Sequence, residues 1–454
     1  MISLLLCIGA FLVCFFAGRR SQVIALVLLL AIGYAYGIVR ANVPDPYSHF
    51  IFDAGVLGFY CSQLFQRLTR AQGYRVQGVK PWIGLLIAWP LVLLLIPSQD
   101  LLIRLVGLRG NIFFLPFILI GARLTDVERY DMALWLAVLN LGAFAFATTE
   151  FFTGLESFFP RNELTRMIYL SKDVASYSAY RIPATFLGSH AYAGSMVMSL
   201  PLFLGALQQT RKEAFHKLIL VAGTIVSLLG VLMAASRLHF VTAAIIVLVA
   251  VFSMKSRVRH LLGWVLILSG ISWLAFGEER LQRFTELQNT QMVSERVIGS
   301  VNMGFFELAA TYPFGNGLGG GGTSIPYFLR DRIERPIGME NEYARIMLEQ
   351  GVLGLGLWLA FISWLVTRPG LAKSDPWFYG NRLAWVTCAV YFGTGLIGTG
   401  LLTSIPQTCL LLLNVGWVAA RQSAQGNEAF FSEQNNVMAQ VPRLRSSAVQ
   451  VGRI

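Results

Sequence analysis

The stretch ISLLLCIGAFLVCFFAGRR, Ile2–Arg20, decides the class of this protein. Its residues 2–17 are apolar but for Ser3, and the run closes on Arg19 and Arg20. About 20 apolar residues carry a helix across the hydrocarbon of a bilayer. Backbone groups inside lipid must be satisfied within the segment itself, so such a run is a helix. It has no basic region ahead of it and no small-residue cleavage site, and therefore reads as a retained first helix.

The pattern recurs along the 454 residues. Apolar length and flanking charge predict further helices at 22–39, 50–65, 81–96, 111–122, 131–149, 190–207, 218–235, 238–254, 261–277, 346–366, 383–399 and 404–419. The fifth is short, and the last two could form a re-entrant pair. The expected fold is all-α: a single membrane domain over 1–420 with about 12–13 transmembrane helices, followed by a polar, disordered tail over 421–454.

Composition agrees. Hydrophobic residues make up 55% and charged residues 13%, against about 25% charged in soluble domains. The formal charge of +12 comes from Lys and Arg that punctuate apolar runs, which speaks for membrane orientation and against nucleic acid. Cys7, Cys14, Cys61, Cys388 and Cys409 lie in or beside apolar runs with no CxxC pair. They support neither a disulfide framework nor a zinc site. The five histidines have no HxxxH or HExxH spacing, so no metal or other cofactor is expected.

Charge also orients the chain. One set of loops carries Arg19 and Arg20, then Arg67, Arg70, Arg75 and Lys80, then Arg211, Lys212 and Lys217, then Lys255, Arg257 and Arg259, then Arg368, Lys373 and Arg382. Short loops on the other side hold Arg40, Arg104 and Arg109. The richer side is cytoplasmic by the positive-inside rule. Two long loops, about 150–189 and 278–345, then fall outside, where their length marks them as functional.

Four stretches carry candidate chemistry. RIPATFLGSHAYAGSM, Arg181–Met196, sets an Arg and a His above a helix of small residues. The planar fork of Arg181 suits phosphate, although an Arg there can also anchor a helix at lipid headgroups. AASRLHF, Ala234–Phe240, places Arg237 between two apolar segments with almost no loop. A charge at that depth either works or snorkels to the interface. GLRGNIFFLP, Gly107–Pro116, puts Arg109 at the outer start of the short fifth helix. YPFGNGLGGGG, Tyr312–Gly322, could cradle an anion but reads better as a flexible turn. After it, Glu340, Asn341, Glu342 and Tyr343 stand at the mouth of the eleventh helix. Glu342 and Arg345 share one helical face there, in keeping with acids favoured in a first turn.

In this order the set resembles the O-antigen ligase and O-antigen polymerase (Wzy-type) superfamily. The resemblance rests on R-x-x-A-T-F at Arg181–Phe186, on Ser236–Arg237, and on the glycine-rich stretch followed by N-E-Y at Asn341–Tyr343 with Glu349 and Gly351. It spans about residues 100–420. It implies a GT-C-like, metal-independent glycosyltransferase of the bacterial inner membrane, with a glycan on undecaprenyl diphosphate as donor. It also implies that Arg181, Arg237 and Arg109 hold the diphosphate and that Asn341 and Tyr343 help bind substrate. Superfamily ligases keep a His where this chain has Glu340, a carboxylate able to serve as general base. That departure points to a polysaccharide polymerase joining lipid-linked repeat units, with membrane lipids and a chain-length regulator as partners. An O-antigen ligase or a protein oligosaccharyltransferase is the alternative enzyme. A lipid-linked glycan flippase or transporter is the alternative of another class. That last should show repeats and midplane charges, whereas polar groups here cluster outside.

Overall fold

The computed structural model describes residues 1–171, 180–209, 213–253, 263, 291, 294–295, 305–322, 325–333, 337 and 341–421. The expected tenth helix, 261–277, and the tail beyond Arg421 lie outside these residues, as do Glu340 and much of the second long loop.

The described residues form helices and no β-strand. In chain order these are α1 (Ile2–Arg20), α2 (Gln22–Asn42), a 3-10 turn (Pro46–Phe50), α3 (Ile51–Gln63), α4 (Arg70–Val76), α5 (Lys80–Leu93), α6 (Leu101–Ile112), α7 (Pro116–Arg123), α8 (Asp126–Thr153), α9 (Arg166–Leu170), α10 (Ser189–Leu207), α11 (Ala214–Met233), α12 (Arg237–Ser253), α13 (Phe305–Thr311), α14 (Glu342–Val366), α15 (Phe378–Thr394) and α16 (Gln407–Ala419). Seven spans are long and apolar enough to cross a membrane, or eight if α4 and α5, bent by 57°, count as one. This is a multi-pass helical membrane protein.

Two expected boundaries change. The fifth helix is longer than its apolar core suggested: α6 and α7 together run from Leu101 to Arg123 as one span, interrupted around Phe113–Leu115. Its first half is amphipathic, with Arg104, Arg109 and Asn111, so hydropathy alone found only the second half. The twelfth helix sits at Phe378–Thr394 instead of 383–399, and Gly395–Pro406 forms a separate turn before α16. Gly395, Gly398 and Gly400 are apolar enough to extend a hydropathy window, yet Gly400 adopts φ 91°, outside a helix.

Hydrogen bonds sort the loops into two ends. At one end Gln66 Nε2 donates to Gly18 O (2.6 Å), Arg75 donates to Leu124 O (3.1 Å), and Arg421 N donates to Arg75 O (3.0 Å). At the other, Asn42 donates to Phe158 O (3.0 Å), Asn162 to Ala41 O (2.8 Å), and Gln99 to Asn316 O (3.1 Å). The first end holds the described Arg-rich loops around Arg19, Arg75 and Arg421, and the second holds the start of the first long loop and, through Asn316, part of the second.

The centre of the bundle is α10, which packs against α8, α11, α12, α15 and α16. Its small residues explain the position. Gly205 lies against Gly380 and Trp377, and Gly194 leaves room for the Gln407 side chain. Close backbone approach through small residues is how helices associate where lipid removes the hydrophobic drive. By contrast α1 exposes Leu4, Leu5, Ile8, Leu12 and Phe16, and forms the rim toward lipid.

Candidate functional site

The segment from Arg181 to Gly188 is held by α2. Ile38 N donates to Thr185 O (3.0 Å), and Gly37 sits where any Cβ would overlap the Phe186 backbone. Ala184 takes φ 50° and Ala235 takes φ 47°, the two non-glycine residues with left-handed backbone among those described. Such a conformation costs about 1–3 kcal/mol and tends to be kept where a site needs it. Here one sits three residues after Arg181 and the other two residues before Arg237.

The second of these turns opens on a cleft lined by His190, Ser236, His239, Tyr391, Ser404 and Gln407, among others. Ser236 Oγ is 2.7 Å from His239 Nδ1, and His239 Nε2 is 3.3 Å from Gln407 Nε2. His190 is exposed at the mouth, within charge range of Arg181. The far wall is the turn after α15. Glu342 fastens it at its start and its middle, since its backbone N donates to Gly395 O (2.8 Å) and its Oε2 accepts from Gly400 N (2.9 Å).

Beneath that wall lies a buried ion network. Arg345 donates through Nε and Nη2 to Glu342 Oε1 (3.0 and 2.7 Å) and through Nη1 to Glu349 Oε2 (2.8 Å). Asn111 of α6 donates to Glu349 Oε2 (2.7 Å) and accepts from Gln350 (2.8 Å). The side chains of Arg345, Glu342 and Glu349 are wholly buried. The helix breaks at Gly351, φ 71°. The glycine-rich segment and a tryptophan fill the break: Asn316 N donates to Leu348 O (2.6 Å), Trp89 Nε1 to Gln350 O (2.9 Å), and Val352 N to Pro313 O (2.9 Å). A broken helix leaves carbonyls that must find other donors. The segment expected as a flexible turn is therefore a packed wedge between α6 and α14, with Gly319 against Gly107 and Ile103.

The expected site residues separate into groups. Arg237 stands between the lining residues Ser236 and Leu238, and Arg181 lies within charge range of His190; each is half-buried. Asn341 is the N-cap of α14, its Oδ1 accepting from Ala344 N (2.5 Å), and Tyr343 donates to Phe392 O (2.6 Å). Arg109 is not at the start of a helix but in the last turn of α6, where Asp53 takes its fork at 2.9 and 2.6 Å. Close by, Arg40 donates to Tyr36 Oη (3.2 Å) and meets the His49 ring at 2.8 Å. His49 is pushed down to about 3 by burial and then by Arg40 and Arg109. Among the described residues no group of three His, Cys, Asp or Glu is placed to hold a metal ion.

Sequence reasoning passed over His239, Gln407, Asn111 and Asp53. His239 had a local signal, a hydroxyl residue three positions earlier at a helix start. Gln407, Asn111 and Asp53 reach their partners across 168, 238 and 56 positions, and no local pattern marks them. The chain matches no protein-family model and no curated protein.

Proposed function

We propose that this protein is a glycosyltransferase of GT-C-like architecture that joins glycan repeat units carried on undecaprenyl diphosphate, at the outer face of a bacterial inner membrane. The observation that carries this reading is convergence. The turn before Arg237 and the Glu342-fastened turn Gly395–Pro406 meet at one cleft, at the end opposite the Arg-rich loops, and His190 on its lining lies within charge range of Arg181. Each of the two arginines offers paired donors suited to a diphosphate. The cleft offers hydroxyl, imidazole and amide groups for a sugar. Resemblance nominates Glu340 as the base that takes the acceptor proton; it lies outside the described residues.

The test is chain growth. Membranes holding the protein, supplied with lipid-linked repeat units from the producing cells, are expected to yield longer lipid-linked chains and release undecaprenyl diphosphate. Arg181→Lys and Arg237→Lys keep the charge and lose the fork. A charge-assisted hydrogen bond is worth about 1.5–3 kcal/mol, so each variant should slow growth by about ten- to hundredfold at equal protein level. Transfer of chains to lipid A-core without elongation would make the protein a ligase. Neither growth nor transfer would overturn the reading.

A further inference from the structure

We infer that Ser236 and His239 form a proton relay that takes the proton of the acceptor hydroxyl, with Gln407 fixing the imidazole; this rests on the glycosyl-transfer reading above. Ser236 immediately precedes α12 and His239 lies one turn in, so the i, i+3 spacing brings Oγ to 2.7 Å from Nδ1. Both residues line the cleft.

Gln407 holds the ring nitrogen that Ser236 does not reach. Its side chain is 1% exposed, and Gly194, with no Cβ, makes the space it fills. With the amide nitrogen toward His239, Gln407 Oε1 is buried with no hydrogen-bond partner among the described residues. In the amide orientation the relay uses, Oε1 accepts from Nε2–H of His239, the end that faces the ring being a matter of hydrogen-bond assignment. The ring then carries its proton on Nε2, and Nδ1 has a lone pair for the Ser236 hydroxyl. The Ser236 oxygen keeps lone pairs for a donor in the cleft.

The step balances. The acceptor oxygen attacks the anomeric carbon as the anomeric C–O bond to phosphate breaks, its electron pair leaving with undecaprenyl diphosphate. The acceptor proton passes to Ser236 Oγ while the proton of Ser236 passes to His239 Nδ1. The imidazolium then loses that proton to water through the open mouth, and the site is reset. The groups placed against His239 are Tyr391 of α15, with ring centroids 6.1 Å apart, and His190 of α10, with Glu342 behind the Gly395–Pro406 turn that lines the same cleft.

The experiment compares Ser236→Ala, Ser236→Thr, His239→Asn, Glu340→Gln and Arg237→Lys in purified, lipid-embedded protein. Chain growth and binding of undecaprenyl diphosphate alone are measured from pH 5 to 9. A general base contributes about 10²–10⁴-fold. Ser236→Ala and His239→Asn are expected to lose at least a hundredfold in growth rate while binding undecaprenyl diphosphate like the parent. Ser236→Thr, which keeps the hydroxyl, should regain at least a tenth of the parent rate. The fall in parent rate toward acid pH should vanish in His239→Asn and persist in Arg237→Lys. If growth and its acid limb survive in His239→Asn but vanish in Glu340→Gln, the relay is wrong and the donor reading stands. If the parent shows no growth, or Arg237→Lys has no effect, the donor reading fails and the relay with it.

Discussion

Asp53 decides what Arg109 can do. A guanidinium whose Nε–Nη2 edge is already forked onto a carboxylate, with Phe114 5.5 Å from its centre, no longer has that edge for a ligand. The side chains of Arg109 and Asp53 are 24% and 10% exposed, so removing one partner strands a charge in a poorly hydrated place. Asp53→Asn is expected to cost about 3 kcal/mol. Asp53→Asn with Arg109→Gln should cost less than the sum of the two singles, a coupling that thermal unfolding in detergent would read. A charge count along the chain showed Arg109 as an outer cation; it could not show the carboxylate that answers it. His49, beside this pair in the turn before α3, adds a pH dependence. The unfolded ring takes its proton near 6.5, the folded ring only near about 3. Between those values the unfolded chain binds more protons, so stability is full above pH 6.5 and falls as the pH drops toward 3. Each unit within that window removes at most about 1.4 kcal/mol. His49→Gln should flatten the decline in melting temperature between pH 7 and 4.5, and an unchanged slope would refute this account of His49.

At the scale of elements, glycine has two opposite meanings here, and hydropathy reads neither. In α10, Gly194 and Gly205 sit in a regular helix and admit neighbours. In α14, Gly351 ends the hydrogen-bond ladder, and its φ of 71° leaves a Cβ only 2.5 Å from Pro313 O. Gly351→Ala is expected to lower the melting temperature sharply, since a left-handed alanine costs about 1–2 kcal/mol before any clash. Gly356→Ala, in the same helix with nothing within 4 Å, should be neutral or gain up to about 1 kcal/mol from helix propensity. Equal effects at the two positions would mean that the break at Gly351 is dispensable. The long apolar helices were legible in the sequence because lipid imposes length and composition. Ile2–Arg20, Gln22–Asn42, Ser189–Leu207 and Ala214–Met233 fall within a few residues of their expected spans. The wedge at Tyr312–Gly322 was not legible, because its glycines are spent on contacts with α6 and α14, and a glycine-rich string looks alike whether it is packed or loose. The cleft was half legible. Arg237 announced itself as a costly charge, while Ser236, His239 and Gln407 look like ordinary polar residues of a helical bundle until the first turns of α12 and α16 meet.

For the whole molecule, the decisive quantity is which end faces which compartment, because a lipid-linked donor presented at the outer face cannot be used by a cleft that opens inward. The hydrogen bonds joining Gly18 to Gln66, Leu124 to Arg75 and Arg75 to Arg421 tie the Arg-rich loops into one end. Glu156 and Arg161 belong to the other, beyond the last turn of α8. Short loops rich in Arg and Lys stay on the cytoplasmic side, so the cleft end is expected outside. Glu156→Cys and Ser374→Cys report the two ends, since both positions are exposed. Cys7 and Cys61, half-buried, are replaced by Ala to lower the background, and Cys14, Cys388 and Cys409 are buried. A membrane-impermeant maleimide added to intact cells should label Glu156→Cys and spare Ser374→Cys, with both labelled after permeabilisation. The reverse pattern would turn the cleft toward the cytoplasm, and the proposed transfer would fall with it, because the arginines would then stand on the wrong side of the bilayer from their diphosphate. Labelling of both in intact cells would strike deeper, at the separation of ends itself, since the contacts from Gly18 to Arg421 would then have to lie on the same side as Glu156.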